Sequence, residues 1–236
     1  MFIPIQDDNP LEKIPLQYMT IALILANVAV FFLSQSGIDE PTLKSFAVVP
    51  TELFQASVLG FAGAMPDAVP IPEGLTLLSY QFFHGDIFHL AGNMVFLWVF
   101  GDNIEDAMGH VKFLVFYLAC GIIAALTHAW VVAGSEMAGY PLIGASGAVA
   151  GVIAAYLMLH PRVRVWVLAL KVIPLQISAA FVLGIWVATQ VVMVVMPDVG
   201  PVAWWAHIGG LVAGAALIVL MKRSDVPLFD GGLGRA

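Results

Sequence analysis

Charge is what this chain has least of. Of its 236 residues only 11% are Asp, Glu, Lys or Arg, against 61% hydrophobic and a mean hydropathy of +0.94. Soluble domains carry about a quarter charged residues, so a soluble globular protein is excluded. Basic patches are missing too: the nine Lys and Arg are scattered and the net charge is −7, which excludes the electrostatic footprint of a nucleic-acid partner. The negative charge is assigned to loops such as Asp102 to Asp106. A lone cysteine, Cys120, excludes an internal disulfide and, lying in an apolar run, reads as a small buried side chain. The N-terminus shows no basic n-region, and no small-residue cleavage site closely follows the first apolar run. That run is therefore expected to be a retained span and not a signal peptide. No internal repeat or low-complexity tract stands out.

What the chain does have is apolar runs near the roughly twenty residues a helix needs to cross hydrocarbon. Six are expected to span, at about 16–34, 86–105, 111–132, 145–160, 176–196 and 203–221. The fold class is all-α: a polytopic membrane protein with six transmembrane helices and one long outer loop. Residues 1–15 form a short inner segment, 16–222 the six-span domain, and 223–236 a tail expected to be disordered. The fourth span is short, ending at Pro161 and Arg162, so it should begin below the membrane surface. With the N-terminus inside, every Lys and Arg except Lys44 falls on the inner side, which places both termini in the cytoplasm. The connection 35–85 is read as a structured outer loop with short helices. The connections 133–144 and 197–202 are short.

Polar residues in spans are costly and mark sites. Four matter most: His89, Asn93, Ser146 and His207. Counting 1.5 Å per helical residue, Ser146 lies roughly 24 Å above Arg162, His207 roughly 22 Å above Lys222, and His89 roughly 20 Å above Asp102. Three helices thus bring polar groups to one level near the outer face. His89 and Asn93, four apart, share a helix face and can present an imidazole N–H and an amide to one point, as an oxyanion needs. Taken alone, Asn93 also fits an ordinary interhelical hydrogen bond. Gly147 and Gly151 form a small-residue ridge beside Ser146, and Ala206, Gly210 and Gly214 form another beside His207. Such ridges are common in membrane helices and by themselves show only packing.

In combination, His89-Leu90-Ala91-Gly92-Asn93, Gly144-Ala145-Ser146-Gly147 and Ala206-His207-Ile208-Gly209-Gly210 followed by Gly214 resemble the rhomboid intramembrane serine proteases. The resemblance runs from the first span to about Lys222. It implies that Ser146 is the nucleophile and His207 the general base and acid. His89, Asn93 and the Ser146 backbone N–H would donate to the oxyanion, and His84 would belong to a water-accessible cavity. The chemistry implied calls for no metal or cofactor. Two positions depart from the family pattern. Ala150 stands where many members stack an aromatic on the histidine, and the 35–85 loop has neither residue of a Trp-Arg pair carried by some bacterial members.

No Asp or Glu lies at the depth of Ser146 in any span, so the expected catalytic unit is a Ser-His dyad, which avoids burying a permanent carboxylate near lipid. The expected partners are the lipid bilayer and single-span or polytopic membrane proteins, cleaved near the outer face after entering beside the fifth span. That span, with Phe181, Leu183, Trp186 and Val187, is bulky and lipid-compatible, an ordinary lipid-facing helix being the alternative reading, and the 197–202 loop would cap the site. The rival readings are a catalytically inactive, client-binding relative, which usually lacks the serine or histidine, and a proton-coupled transporter, which needs acidic residues along a path. A bacterial cytoplasmic membrane is expected from the short inner segment without an Arg-rich presequence, with a mitochondrial inner membrane as the alternative. Oligomeric state is not legible.

Overall fold

The computed structural model describes residues 2–55, 68–169, 172–196 and 202–229. In chain order the elements are β1 (Phe2–Asp7), α1 (Tyr18–Gln35), α2 (Glu40–Lys44), α3 (Pro50–Gln55), α4 (Glu73–Ser79), α5 (Ile87–Met108), α6 (His110–Val132), α7 (Ser146–Leu159), β2 (Arg164–Ala169), β3 (Ile173–Ser178), α8 (Ala179–Val195) and α9 (Trp204–Met221). Helices α1, α5, α6 and α9 are long and apolar enough to cross a membrane, while α7 and α8 are shorter apolar helices of 14 and 17 residues. Together they form the expected six-helix bundle, and the protein is an integral membrane protein. The long loop carries α2 to α4, as expected, and is tied to the next outer loop by paired hydrogen bonds between Val48 and Leu142 (3.1 and 2.8 Å). The 197–201 part of the proposed capping loop lies outside the described residues.

Helix α7 is the axis of the bundle. Apart from Ser146, Leu157 and Met158 its residues are buried, and α5, α6 and α9 pack around it. The α7–α9 approach is the tightest, because no side chains stand between the two backbones: a Cβ on Gly210 would overlap the Gly147 carbonyl, and one on Gly214 the Gly151 carbonyl. Helices α5 and α6 are joined through Gly109 alone, whose φ of +85° permits the abrupt turn.

The end of the bundle that carries the N-terminal segment departs from the all-α expectation. Residues assigned to an inner loop and to the start of the fifth span instead form an antiparallel sheet of order β1-β2-β3, with Phe2 opposite Ala169 and Ala169 opposite Ile173. Its central strand buries Val165, Val167 and Ala169 and turns Arg164 and Trp166 outward, a period of two that a search for helical spans passes over. Strand β1 lies along α5, whereas β2 and β3 lie against α8, so the sheet braces the inner ends of both helices.

Two further expectations are corrected there. Asp102 to Asp106 are not in a loop but in the last turns of α5. Asp106 accepts the backbone N–H groups of Glu12 (3.0 Å), Lys13 (2.6 Å) and Ile14 (2.7 Å). Glu105, fully buried, accepts from Met19 N–H (2.9 Å), Thr20 N–H and Thr20 Oγ1 (both 2.7 Å) and contacts His110 Nδ1. Helix α1 has no side-chain cap of its own, so Glu105 satisfies amides that the helix start leaves unpaired. Residues after Arg223 also pack against the bundle. Arg223 N–H bonds Ala107 O (2.9 Å), Phe229 N–H bonds Met158 O (2.7 Å), and Val226 is buried. Residues 2–15 and 223–229 are thus part of the folded unit and not appendages to it. Residues 230–236 of the expected disordered tail lie outside the described residues.

Candidate active site

The site is assembled where α5, α7, α8 and α9 converge, at the end of the bundle opposite the sheet. Its first part is a turn. Gly144 adopts φ +122°, and a Cβ there would come within 2.7 Å of His89 Nε2, so both the backbone and the neighbouring ring require glycine. Gly144 N–H bonds Tyr80 O at 2.9 Å and Ala145 N–H points at His84 Nε2 at 3.4 Å, which delivers Ser146 to the first position of α7. At that position the serine N–H has no acceptor within its own helix.

Ser146 Oγ lies 2.8 Å from His207 Nε2 on α9, and His207 is 8% exposed. A hydroxyl donating to a buried imidazole nitrogen is the arrangement nucleophilic catalysis uses. The fused α7–α9 ridges set that distance: Gly147 is the residue after Ser146, and Gly210 is one turn after His207. His89 and Asn93 project from the outer part of α5. Its start is capped by the Asp86 carboxylate, which accepts from His89 N–H (2.9 Å) and Phe88 N–H (2.8 Å); these amides hold the Asp86 carboxyl below the usual range. Asn93 is buried, and its Nδ2 has no hydrogen-bond partner among the described residues.

Two sequence expectations change. His84, expected to line a water-accessible cavity, is fully buried and sits 4.9 Å from the His89 ring, between that ring and the Ala145 amide. In span five, Phe181 faces outward at 52% exposure, but Leu183 is fully buried and Trp186 turns inward, packing on Phe96 and on His207.

The sequence reading left His207 without an orienting partner, and the structure supplies three. Its ring lies 5.9 Å from Trp186 and 5.8 Å, edge-on, from Trp204, while its Nδ1 bonds Gln190 Oε1 at 2.7 Å. Ala150 cannot be an aromatic here, since its Cβ already packs against α9 at Gly210. Gln190 was overlooked, although a lone glutamine in a helix otherwise free of polar residues save Thr189 is the kind of intramembrane group that marks a site.

With this geometry in hand, comparison with known proteins is informative. A rhomboid-domain family model matches residues 72–224, most of the chain and all of the site. The chain belongs to the rhomboid family. Family members are usually serine proteases acting on membrane proteins within the bilayer. The chain is similar to the mitochondrial presenilin-associated rhomboid-like protein of Bos taurus, 28% identical over 144 residues that cover 58% of this chain and 36% of that one. It is also similar to the mitochondrial Rhomboid protein 1 of Saccharomyces cerevisiae, 28% identical over 96 residues (40% and 28%). The mitochondrial RHOMBOID-like protein 12 of Arabidopsis thaliana matches at 28% over 153 residues (59% and 44%). This rhomboid chain spans less than half the length of each of these relatives. Their mitochondrial names weigh against the bacterial membrane expected from the sequence.

Proposed function

We propose that the protein is an intramembrane serine endopeptidase that cleaves membrane-protein substrates near the outer face. The observation that carries this reading is the 2.8 Å contact from Ser146 Oγ to His207 Nε2, partly buried among membrane helices. Ser146 Oγ attacks the peptide carbonyl carbon as its proton passes to His207 Nε2. The oxyanion that forms is received by the Ser146 N–H, by His89 and by Asn93 Nδ2, a buried donor with no hydrogen-bond partner among the described residues. Collapse of the tetrahedral intermediate breaks the C–N bond, and His207 returns the proton to the leaving amine. Water then hydrolyses the acyl-enzyme by the same route.

The substrate segment has to reach Ser146 sideways and unwound, because a helix engages its own carbonyls. Entry beside α8 is the route we assign: Trp186 links this helix to His207, while Phe181, Val191, Val192 and Val195 face lipid. The termini are assigned to the inner side. Membership of a mitochondrial membrane, as the relatives' names indicate for them, is tested by fractionating the native host.

The experiment is labelling of the purified protein with a fluorophosphonate. Labelling by the wild type that is lost in Ser146→Ala and strongly reduced in His207→Ala supports the reading. Absence of labelling together with retained capture of membrane clients would instead establish a silent binding protein.

A further inference from the structure

Gln190 occupies the position that an acid holds in a Ser-His-Asp arrangement. The amide is buried at 3% exposure, and its orientation is unambiguous: Nε2 donates to the Trp186 carbonyl at 2.9 Å, an atom that can only accept, so Oε1 is the atom that faces His207 Nδ1 at 2.7 Å. An amide oxygen cannot donate, so Nδ1 must carry the proton. Nε2 is then the bare nitrogen that accepts from Ser146 Oγ. Gln190 thereby selects the one tautomer of His207 that works as a base.

Building on the serine-protease reading above, we infer that Gln190 is a positioning residue that makes the site a Ser146-His207-Gln190 triad with a neutral third member. In the resting site it holds the imidazole in plane and in tautomer. Once the Ser146 proton has moved to Nε2, the same Nδ1–H bond to the Gln190 carbonyl dipole stabilises the imidazolium. An amide fits this depth at lower cost than a carboxylate, because it carries no charge into the bilayer when the histidine is neutral. Among the described residues the titratable groups that act on His207 are His89 on α5 and His128 on α6, neither of them an anion.

The test uses the full-length protein in detergent or nanodiscs with Gln190→Leu and Gln190→Glu variants. Readouts are kcat and KM on a fluorogenic membrane peptide, the pH profile of kcat/KM, fluorophosphonate labelling, and the ¹H–¹⁵N resonance of the His207 Nδ1 proton. Loss of a hydrogen bond to a charged group predicts that Gln190→Leu lowers kcat about ten- to hundredfold with KM nearly unchanged. It also broadens or abolishes the downfield Nδ1–H resonance. Gln190→Glu restores most of the rate and moves the acid limb of the profile to higher pH. A leucine variant with wild-type kcat, or a glutamate variant that is as impaired as the leucine variant with an unmoved acid limb, overturns the inference. Should Gln190→Leu fail to fold, the acid limb of Gln190→Glu decides alone. A wild type that neither cleaves nor labels yet shows the Nδ1–H resonance would refute the protease reading and leave the hydrogen bond standing.

Discussion

Replacing Gly210 by alanine adds one methyl group and should nonetheless disable the site. The added Cβ would overlap the Gly147 carbonyl oxygen and lie 3.2 Å from Ala150 Cβ, and a backbone oxygen cannot swing aside as a side-chain end can. Comfortable carbon contacts begin at about 3.5 Å, so α7 and α9 must part by more than about 1 Å at this crossing. Ser146 and His207 lie within one turn of it on either helix, and their 2.8 Å contact would lengthen past hydrogen-bonding range. A misplacement of this size costs about a hundredfold in rate, and the overpacking about 1–3 kcal/mol in stability. The same substitution at Gly184 on α8, where a new Cβ meets nothing within 4 Å, is the control and should leave labelling and stability close to wild type. The assay is the second-order rate of fluorophosphonate labelling alongside thermal unfolding in detergent. If Gly210→Ala labels within about twofold of Gly184→Ala, the claim that fused backbones set the Ser146–His207 distance is refuted.

Other outcomes follow from the same structure. Asn93→Ala should lower cleavage by about a hundred- to thousandfold while leaving fluorophosphonate labelling detectable, whereas Ser146→Ala abolishes both; equal turnover by Asn93→Ala would remove it from the oxyanion site. Glu105→Ala strips the acceptor from Met19, Thr20 and His110 and should destabilise the protein by about 2–4 kcal/mol, seen as a lowered unfolding midpoint. Asp7 on β1 bonds the Tyr156 hydroxyl, and burial pushes its carboxyl up to about 6. Because its folded value lies above the unfolded 3.8, the stability it contributes is complete below pH 3.8 and lost as pH rises through about 6. The protein should therefore lose about 1–2 kcal/mol between pH 5 and 8 through this group, and Asp7→Asn should flatten that slope in unfolding experiments.

The six helices, the long loop and the polar residues Ser146, His207, His89 and Asn93 as candidates were legible because each leaves a one-dimensional trace. Apolar length marks a span, and a polar residue inside one marks a site at a depth that can be counted. The sheet was not legible, since Val163 to Ala169 alternate with a period of two inside a stretch bounded by spans, and strand pairing depends on β1 arriving from more than 150 residues away. The acidic run Asp102 to Asp106 misled for a related reason. Its charge fits solvent until the N-terminal segment and the start of α1 offer it six hydrogen-bond donors, five of them backbone amides.

By itself, then, the sequence determined that the chain lives in a membrane and which side chains are expensive enough there to need a purpose, because hydrophobic length and desolvation are properties of a residue and its neighbours in line. What holds His207 was decided only in three dimensions. Gln190 and Trp186 lie on a different helix, and a 2.7 Å hydrogen bond depends on where α8 packs and on which way one amide is turned, neither of which is encoded in spacing along the chain.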